Sequence, residues 1–256
     1  MKLFTKNELF LLEEIIKKNF VSKYKGSVLG VMWTILSPLL MMALFTIIFS
    51  TIFERNIENF PVYFLCGWCT YQFFAASISA SMSSLKANQN ILQRTPTSKY
   101  IFVLGGILSE FLNYVIMLML LIGVMVVTKT PFHFLFMLFS FVPIFSMLVM
   151  VTGLGLILSI ANVYYTDVQH LWSVLSMFLM YASAIFYPMS IIPEPYRQYL
   201  VLNPIYWIID QLRCFLYHGI IPYYVYLSNS LILSFIILIV GIIIFNKYES
   251  KITMKF

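Results

Sequence analysis

Residues 130–166 of this chain read TPFHFLFMLFSFVPIFSMLVMVTGLGLILSIANVYYT and contain no Lys, Arg, Asp or Glu. Residues 26–53, 59–85 and 214–246 also lack these four residue types. An α-helix rises about 1.5 Å per residue, so roughly 20 apolar residues cross a hydrocarbon core of about 30 Å. A water-soluble domain cannot hide apolar segments of this length, because its helices keep one polar face. The sequence therefore predicts an integral membrane protein, and its 61% hydrophobic and 10% charged residues agree.

The apolar segments predict an all-α protein with six transmembrane helices. We place these helices at residues 29–53, 61–84, 101–128, 132–160, 170–190 and 225–246. The chain then divides into a cytoplasmic amphipathic interface helix at 1–28 and a transmembrane domain at 29–256. Charged residues interrupt the first fourteen positions, so no cleavable signal peptide is expected.

Lys and Arg are distributed unequally between the two sides of these six spans. Twelve of the sixteen fall in 1–28, in the loop 85–100 or after residue 246, and four fall in the opposite loops. By the positive-inside rule, the side richer in Lys and Arg faces the cytoplasm. Both termini are therefore predicted to be cytoplasmic. The net charge of +6 then reflects membrane topology and does not indicate binding to nucleic acid.

The first 28 residues have the pattern of an amphipathic helix at the membrane surface. Thr5 and Glu8 have the spacing of a capping box, and Phe4 with Leu9 has the spacing of a hydrophobic staple. Apolar residues then recur at helical intervals, at Leu9, Leu12, Ile15, Ile16 and Phe20, with Glu13, Glu14, Lys17 and Lys18 on the other face. Such a helix is either a simple membrane anchor or a docking element for a cytoplasmic partner.

The connection between the fifth and sixth predicted spans is unusual, because it is rich in both proline and large apolar residues. Its prolines are Pro188, Pro193, Pro195, Pro204 and Pro222. Prolines end helices and favour extended backbone at the preceding residue. Irregular backbone at membrane depth must be buried in protein or line a wet cavity. We therefore predict short re-entrant helices at 191–224, on the outer side.

The residues that could power transport are absent from the sequence. The chain has no glycine-rich phosphate loop ending in Lys-Ser or Lys-Thr. Glu110 is the only acid well inside a predicted span, where ionisable residues often carry function. We interpret Glu110 as structural, because Asn113 lies three residues along the same helix face and can help to satisfy its carboxylate. The possibility of a functional Glu110 stays open at this stage.

A membrane enzyme acting on lipid-linked sugars is the competing class. Such reactions need paired carboxylates, yet Asp167 and Asp210 are predicted on opposite sides of the membrane. Cys66 and Cys69 have the spacing of a redox dithiol, but they lie within an apolar span rather than at a helix start beside a strand. The sequence therefore offers no catalytic constellation and no metal site.

Several motifs resemble those of one membrane family, in the same order along the chain. Residues 23–33 (KYKGSVLGVMW) and 36–39 (LSPL) resemble the entry to the first span of ABC type-2 exporter permeases, in the branch that exports O-antigen, capsule and teichoic-acid polymers. Other matching segments are Gly67-Trp68, Phe73-Phe74, 90–96 (NILQRTP), 153–155, 162–168 (NVYYTDV), Tyr187-Pro188, 192–194, Tyr196-Arg197, Asn203-Pro204 and Arg213. The resemblance covers roughly residues 20–215.

This resemblance implies a half-transporter in the bacterial inner membrane. A second copy of the chain would pair with it, and two ATP-binding cassette subunits would dock beneath. ATP and Mg would be held by those partner subunits, with no cofactor on this chain. The substrate would be a lipid-linked glycan, and an exporter of a drug or small lipid is the nearest alternative.

The resemblance also implies roles for three groups of residues. Contact with the ATP-binding subunits would fall to Lys23, Lys25, Arg94, Thr95, Pro96, Ser98 and Lys99. An outer gate would include Pro188, Pro193, Glu194, Tyr196, Asn203 and Pro204. Candidate substrate-path aromatics are Trp33, Trp172, Tyr181 and Phe186, for which ordinary packing or an interfacial belt is an equal alternative.

Two positions depart from the family pattern. Thr166 stands where a basic residue usually precedes the acid at the end of the fourth span, and Thr97 stands where Arg is common. The ionic contacts usual in those two loops are therefore not expected here.

Overall fold

The computed structural model describes residues 5–49, 57–95 and 97–252, and within them the chain is helical and contains no strand. In chain order the helices are α1 (Lys6–Tyr24), α2 (Trp33–Ile47), α3 (Phe60–Ala87), α4 (Gln89–Arg94), α5 (Tyr100–Val127), α6 (Phe134–Phe139), α7 (Phe141–Tyr164), α8 (Val168–Ala182), α9 (Glu194–Val201), α10 (Pro204–Arg213) and α11 (Tyr224–Ile252). Short 3-10 turns at Gly30–Met32 and Met189–Ile191 and a π-helical turn at Cys214–His218 adjoin them. The predicted all-α class is confirmed.

The first and last described helices meet at the same end of the molecule. Glu8 of α1 accepts a hydrogen bond from the backbone N–H of Ser98, with 3.4 Å between nitrogen and oxygen. Glu249 of α11 accepts one from the backbone N–H of Lys99 at 3.2 Å. We call this the α1 end, and we call the opposite end, where α9 lies, the α9 end.

Helices α3, α5, α7 and α11, each of 24 residues or more, run between these two ends, whereas α2 and α8, of 15 residues each, cover part of the distance. α3 begins after Asn59, whose amide donates to the Thr128 hydroxyl beyond α5 at 3.0 Å, and both residues lie at the α9 end. α3 ends at Ala87, and the next residue, Asn88, accepts a hydrogen bond from Lys18 of α1 at 3.2 Å. The shorter helices α6, α9 and α10 lie at the α9 end, where Phe139 of α6 pairs with Phe215 at 6.2 Å between ring centroids.

Helices α7 and α11 cross where two glycines face each other. A Cβ built on Gly153 would lie 2.6 Å from the backbone of Ile237, and one built on Gly241 would lie 2.5 Å from the carbonyl oxygen of Gly153. No other residue leaves room for backbones this close. Small residues at such crossings are the usual way in which membrane helices gain packing contacts.

Four helical segments are long and apolar enough to cross a membrane, namely Gly30–Ile47, Tyr100–Val127, Phe134–Tyr164 and Tyr224–Ile252. They correspond to the predicted spans at 29–53, 101–128, 132–160 and 225–246, although residues 50–53 lie outside the described part of the chain. The remaining predicted spans, 61–84 and 170–190, correspond to α3 and α8. Helix α3 has 28 residues but is rich in serine, and these polar residues lower its mean hydropathy.

The prediction of a helix reaching residue 190 is wrong. Helix α8 ends at Ala182, and its 15 residues extend about 22 Å. Ala184, two residues later, has a φ of +50°, a left-handed conformation that a helix cannot contain. The chain reaches the α9 end through residues 183–187 in a non-helical conformation.

Helix α1 packs along α5 rather than lying free on the membrane surface. Its capping box is confirmed, since the Thr5 backbone donates to Glu8 at 2.9 Å and the Glu8 backbone donates to the Thr5 hydroxyl at 3.4 Å. The proposed staple involves Phe4, which lies outside the described residues. Ile15 is buried against Gly105 of α5, where an added Cβ would come within 2.5 Å of it. The 28 residues of α5 extend about 42 Å, beyond the hydrocarbon thickness of about 30 Å.

Candidate functional site: a polar face on α3 and α8

The accessible face of α3 differs from that of the other long helices. Its accessible residues recur at helical intervals and are small or polar, as in Gln72, Ala76, Ser79 and Ser83. Other helices expose large apolar side chains instead. On α11 the exposed residues include Ile232, Phe235, Ile236 and Ile239. One face of α3 is therefore suited to contact polar material, and the exposed surface of α11 is suited to lipid.

A cavity of about 450 Å³ lies between this face of α3 and helix α8. Most of its lining side chains are polar, and the full lining is Ser79, Met82, Gln169, Trp172, Ser173 and Ser176. The indole N–H of Trp172 donates to the Ser79 hydroxyl at 3.2 Å. Hydroxyl, amide and aromatic groups thus share one surface between α3 and α8.

A second cavity, of about 220 Å³, lies further along the same face of α3, against α1, α2 and α5. Trp33 and Trp68 contribute aromatic surface, while Gln72, Glu110 and Asn113 contribute polar groups. The Gln72 amide makes no hydrogen bond within the described part of the chain. A polar side chain in the middle of a crossing helix requires water or a polar ligand beside it.

The four aromatic residues predicted to contact substrate fall into two groups. Trp33 and Tyr181 are 45% and 56% exposed, and Trp33 lines the smaller cavity. Trp172 and Phe186 are 8% and 3% exposed. The Phe186 ring packs against Phe45 at 4.6 Å between centroids, so its faces are used within the chain. Trp172 still borders the larger cavity by one edge.

Three helices meet about ten residues into α5 through a group of polar side chains that we call the three-helix junction, namely Lys23 and Tyr24 of α1, Thr34 of α2, and Glu110 and Asn113 of α5. The Lys23 ammonium lies 2.7 Å from a carboxylate oxygen of Glu110. Asn113 donates to Glu110 at 3.0 Å, as the sequence predicted. Tyr24 donates to Asn113 at 2.6 Å and also contacts the Thr34 hydroxyl. Sequence reasoning missed Lys23 as the partner of Glu110, since no local pattern joins them.

Some of the residues predicted to contact the ATP-binding subunits are exposed, and others are bound within the chain. Lys25, Arg94 and Thr95 are exposed, whereas Pro96 lies outside the described residues. Lys99 donates from its ammonium to the backbone oxygen of Glu249, and partial burial lowers the pKa of Lys99.

Two more residues of that predicted group are bound within the chain. The ammonium of Lys23 pairs with Glu110 in the three-helix junction. The backbone N–H of Ser98 donates to Glu8. Lys25, Arg94 and Thr95 are consequently the more available residues for a partner.

The segment predicted as an outer gate folds into short helices at the α9 end. Pro193 precedes α9, Glu194 is its first residue, and Tyr196 on α9 is 65% exposed.

Asn203 caps the next helix, α10, whose first residue is Pro204. Its side-chain oxygen accepts a hydrogen bond from the Ile205 backbone at 3.0 Å. The Asn203 amide also donates back to the end of α8, to the Ala182 oxygen at 3.2 Å and the Ser183 hydroxyl at 2.9 Å. Pro188 lies just before the 3-10 turn that leads to α9.

Arg213, at the end of α10, fixes this region from inside. Its side chain is buried and donates to the backbone oxygens of Ala184 at 2.9 Å and Ile185 at 3.0 Å. Its guanidinium lies 3.6 Å from the centroid of the Tyr63 ring on α3. A Cβ on Gly67 would lie 2.9 Å from a guanidinium nitrogen. We call these contacts the Arg213 clamp. In the sequence, Arg213 was notable only as one of the positions that resemble the family.

The residues weighed for enzyme chemistry lie where the sequence predicted. Asp167 precedes α8 at the α1 end, and Asp210 lies in α10 at the α9 end. Cys66 and Cys69 are unpaired and buried within α3. Among the described residues, no three His, Cys, Asp or Glu side chains group together as metal ligands would.

Comparison with known proteins identifies the family. Residues 11–217 match the model of the ABC-2 type transporter family. An O-antigen export system permease protein RfbA of Klebsiella pneumoniae is 28% identical over 94% of this chain and 93% of its own length. The polysialic acid transport protein KpsM of Escherichia coli is 27% identical over 86% of each chain. The O-antigen export system permease protein RfbA of Myxococcus xanthus is 26% identical over 83% of this chain and 82% of its own. The chain, a membrane-embedded transport subunit, therefore belongs to the ABC-2 type transporter family.

Proposed function

We propose that this chain is the permease subunit of an exporter that moves a lipid-linked polysaccharide across the bacterial inner membrane, powered by separate ATP-binding subunits. The observation that carries the proposal is the match to an O-antigen export permease over 94% of this chain. Both helices that bear the polar face, α3 and α8, fall inside the family match.

The chemistry of the polar face favours a glycan over an apolar cargo. Sugars present many hydroxyl groups and flat C–H faces, and they are bound by hydrogen-bonding side chains beside aromatic rings. The cavity between α3 and α8 places three serines and a glutamine beside Trp172. Sites for drug-sized apolar ligands are lined mainly by hydrophobic side chains.

The same proposal assigns six membrane spans and cytoplasmic termini. Support comes from the four long apolar segments, from α3 and α8 at the two other predicted spans, and from the meeting of α1 and α11 at Ser98 and Lys99. Twelve of the sixteen Lys and Arg residues lie on the sequence segments that end at the α1 end, so that end faces the cytoplasm in our proposal.

A second copy of the chain completes the conduit in this proposal. In one copy the polar face of α3 is open on one side, which is unfavourable in lipid. Helices α2 and α8 flank this face and expose apolar side chains, for example Leu44 at 50% and Phe178 at 67%. Pairing through α2 and α8 would cover these side chains and enclose the polar groups between two copies.

The two ends then have different partners. Two ATP-binding subunits dock at the α1 end through α1 and the exposed residues Lys25, Arg94 and Thr95, with Pro96 in the same loop. ATP and Mg are bound by those subunits. At the α9 end, α9 and α10 form the outer gate, dipping into the membrane as short re-entrant helices. Tyr196, exposed on α9, would lie near the opening.

The test is transport in reconstituted vesicles. The purified permease and its ATP-binding partner are placed in inside-out vesicles carrying a fluorescent lipid-linked glycan. ATP should move the glycan to the lumen, where it resists an added glycosidase, and a non-hydrolysable nucleotide should not. ATP-driven movement of a small amphiphile without movement of the glycan would contradict the proposal. Turnover of a sugar nucleotide by the chain alone would favour a membrane enzyme.

A further inference from the structure

The three-helix junction joins α1, the proposed docking helix, to α2 and α5, which both border the smaller cavity. Lys23 contacts Glu110 of α5 at 2.7 Å, while Tyr24 bridges Asn113 of α5 and Thr34 of α2. All five junction residues also line the 220 Å³ cavity. A displacement of the end of α1 would therefore change the shape of this cavity directly.

The ion pair within the junction has a clear electrostatic cause. The Glu110 side chain is 13% exposed and sits in a helix that is otherwise free of charge between Tyr100 and Val127. A carboxylate in such surroundings needs a cation or hydrogen-bond donors. Among the described residues, Lys23 is the cation that pairs with it, and the Asn113 amide supplies a further donor.

Other contacts hold α1 against the protein but do not reach the conduit. Glu8 bonds the backbone of Ser98, Lys18 bonds Asn88, and Ile15 packs on Gly105. These contacts lie on the part of α1 that precedes the junction. The junction is the place where α1 reaches the wall of a cavity that also contains Trp33 and Gln72.

We propose that Lys23 and Glu110 are positioning residues that transmit movement of α1 to α2 and α5 and so couple ATP hydrolysis to opening of the conduit. This inference rests on the proposed function, in which the ATP-binding subunits dock at the α1 end. The Lys23 side chain is 43% exposed, so the pair can separate and re-form at moderate cost as α1 moves. The Tyr24 hydroxyl provides a second connection from α1 to α2 and α5, through Thr34 and Asn113.

Charge exchange tests the proposal in the complete transporter. The variants are Lys23→Glu, Glu110→Lys and the double exchange, reconstituted with the ATP-binding subunit, and the measured quantity is glycan moved per ATP hydrolysed. Each single reversal places two like charges together and should lower this ratio several-fold while hydrolysis continues. The double exchange restores the opposite-charge pair and should recover most of the ratio.

The matched control is the ion pair between Glu13 and Lys17, 2.9 Å apart and confined to the outer face of α1. Reversing either charge there should at most weaken docking, which lowers hydrolysis and transport together and leaves the ratio unchanged. Glu110→Gln provides a near-isosteric variant that removes the charge if the reversed forms do not fold. It should also lower the ratio.

Two results would overturn the inference. One is an unchanged ratio in folded Glu110→Gln or in both single reversals. The other is a folded double exchange that transports no better per ATP than the single variants. Failure of the proposed function is distinguishable, because in that case the wild-type transporter itself would move no glycan.

Discussion

Two cations in different parts of the molecule are held in contrasting ways. Lys23, in the three-helix junction, has a side chain that is 43% exposed and pairs with one carboxylate. Arg213, at the α9 end, is 3% exposed and bonds the backbone oxygens of Ala184 and Ile185 while lying over the Tyr63 ring. The contact of Lys23 joins two side chains and can rearrange. The contacts of Arg213 hold the backbone of α3, of α10 and of the segment after α8 together.

The contrast follows from the chemistry of the two side chains. The planar guanidinium offers five donors in a rigid arrangement, so one Arg can hold several carbonyl groups at once. The ammonium of Lys is a point charge on a flexible chain and can change partner. We infer that the Arg213 clamp is a fixed support for the gate helices, and that the three-helix junction is a moving connection to the ATP-binding subunits.

The largest expected effect comes from removing the clamp. Arg213→Ala removes the guanidinium donors from the buried oxygens of Ala184, which keeps only a 3.4 Å bond from the Tyr63 hydroxyl, and of Ile185. It should lower the free energy of unfolding by about 3 kcal/mol. Arg213→Lys should be intermediate, since an ammonium cannot reproduce the fork. Thermal unfolding of the purified protein in detergent, followed by tryptophan fluorescence, measures the loss. Arg94→Ala is the control, because Arg94 is exposed. Equal melting temperatures of Arg213→Ala and the wild type would show that the Arg213 clamp does not stabilise the fold.

A methyl group added beside the clamp should have the next largest effect. In Gly67→Ala the new Cβ would lie 2.9 Å from the guanidinium of Arg213 and 3.3 Å from Ile185, which forces one of them to move. The expected loss in the free energy of unfolding is about 1–3 kcal/mol. The matched control is Gly123→Ala in α5, where a Cβ meets nothing within 4 Å and should be neutral or stabilising. If Gly67→Ala and Gly123→Ala have the same free energy of unfolding, the contacts around Arg213 can accommodate a methyl group without cost.

The cap on α10 should contribute somewhat less. Asn203→Ala removes the acceptor for the Ile205 backbone and both bonds to the end of α8. We expect a loss of about 1–2 kcal/mol in the free energy of unfolding, the usual range for such caps. Asn203→Asp keeps the acceptor and loses the donors, so it should fall between alanine and wild type. An aspartate variant as unstable as the alanine variant would show that the bonds to α8 dominate.

The smallest effect is expected at the start of α1. A hydrogen bond from the Thr5 backbone lowers the pKa of Glu8. A lowered folded-state pKa means that the carboxylate stabilises α1 at neutral pH. That stabilisation is lost as the pH falls through the folded pKa, below the ordinary value of 4.5. The protection factors for amide hydrogen exchange in α1, which are corrected for the intrinsic pH dependence of exchange, should therefore fall more on acidification in the wild type than in Glu8→Gln. Identical pH dependence in the two proteins would contradict this.

The sequence predicted the crossing helices well where the residues are uniformly apolar. The uncharged stretch at 130–166 contains the segment Phe134–Tyr164, and 225–246 falls within α11. Prediction was less accurate at α8, which ends at Ala182 because the next residues adopt a conformation held by Arg213. Hydropathy carries no information about such a long-range contact.

The candidate site was predicted only in part. The capping box of α1 and the bond between Asn113 and Glu110 follow from helical spacing, and both are present. The polar face of α3 has the same periodicity, in Gln72, Ser79 and Ser83, but it was obscured by the apolar character of the whole span. Among the aromatics, the sequence could not separate the exposed Trp33 from the buried Phe186, since burial depends on neighbouring helices.

The sequence by itself determined that this protein is helical and resides in a membrane, because helix rise and side-chain transfer to lipid are local properties of short segments. The tertiary structure alone decided which polar groups meet across distant parts of the chain. Lys23 and Glu110 are 87 residues apart, and Arg213 and Tyr63 are 150 apart. Such pairs form only when packed helices bring them within a few ångströms, where burial makes an unpaired polar group costly and a partner necessary.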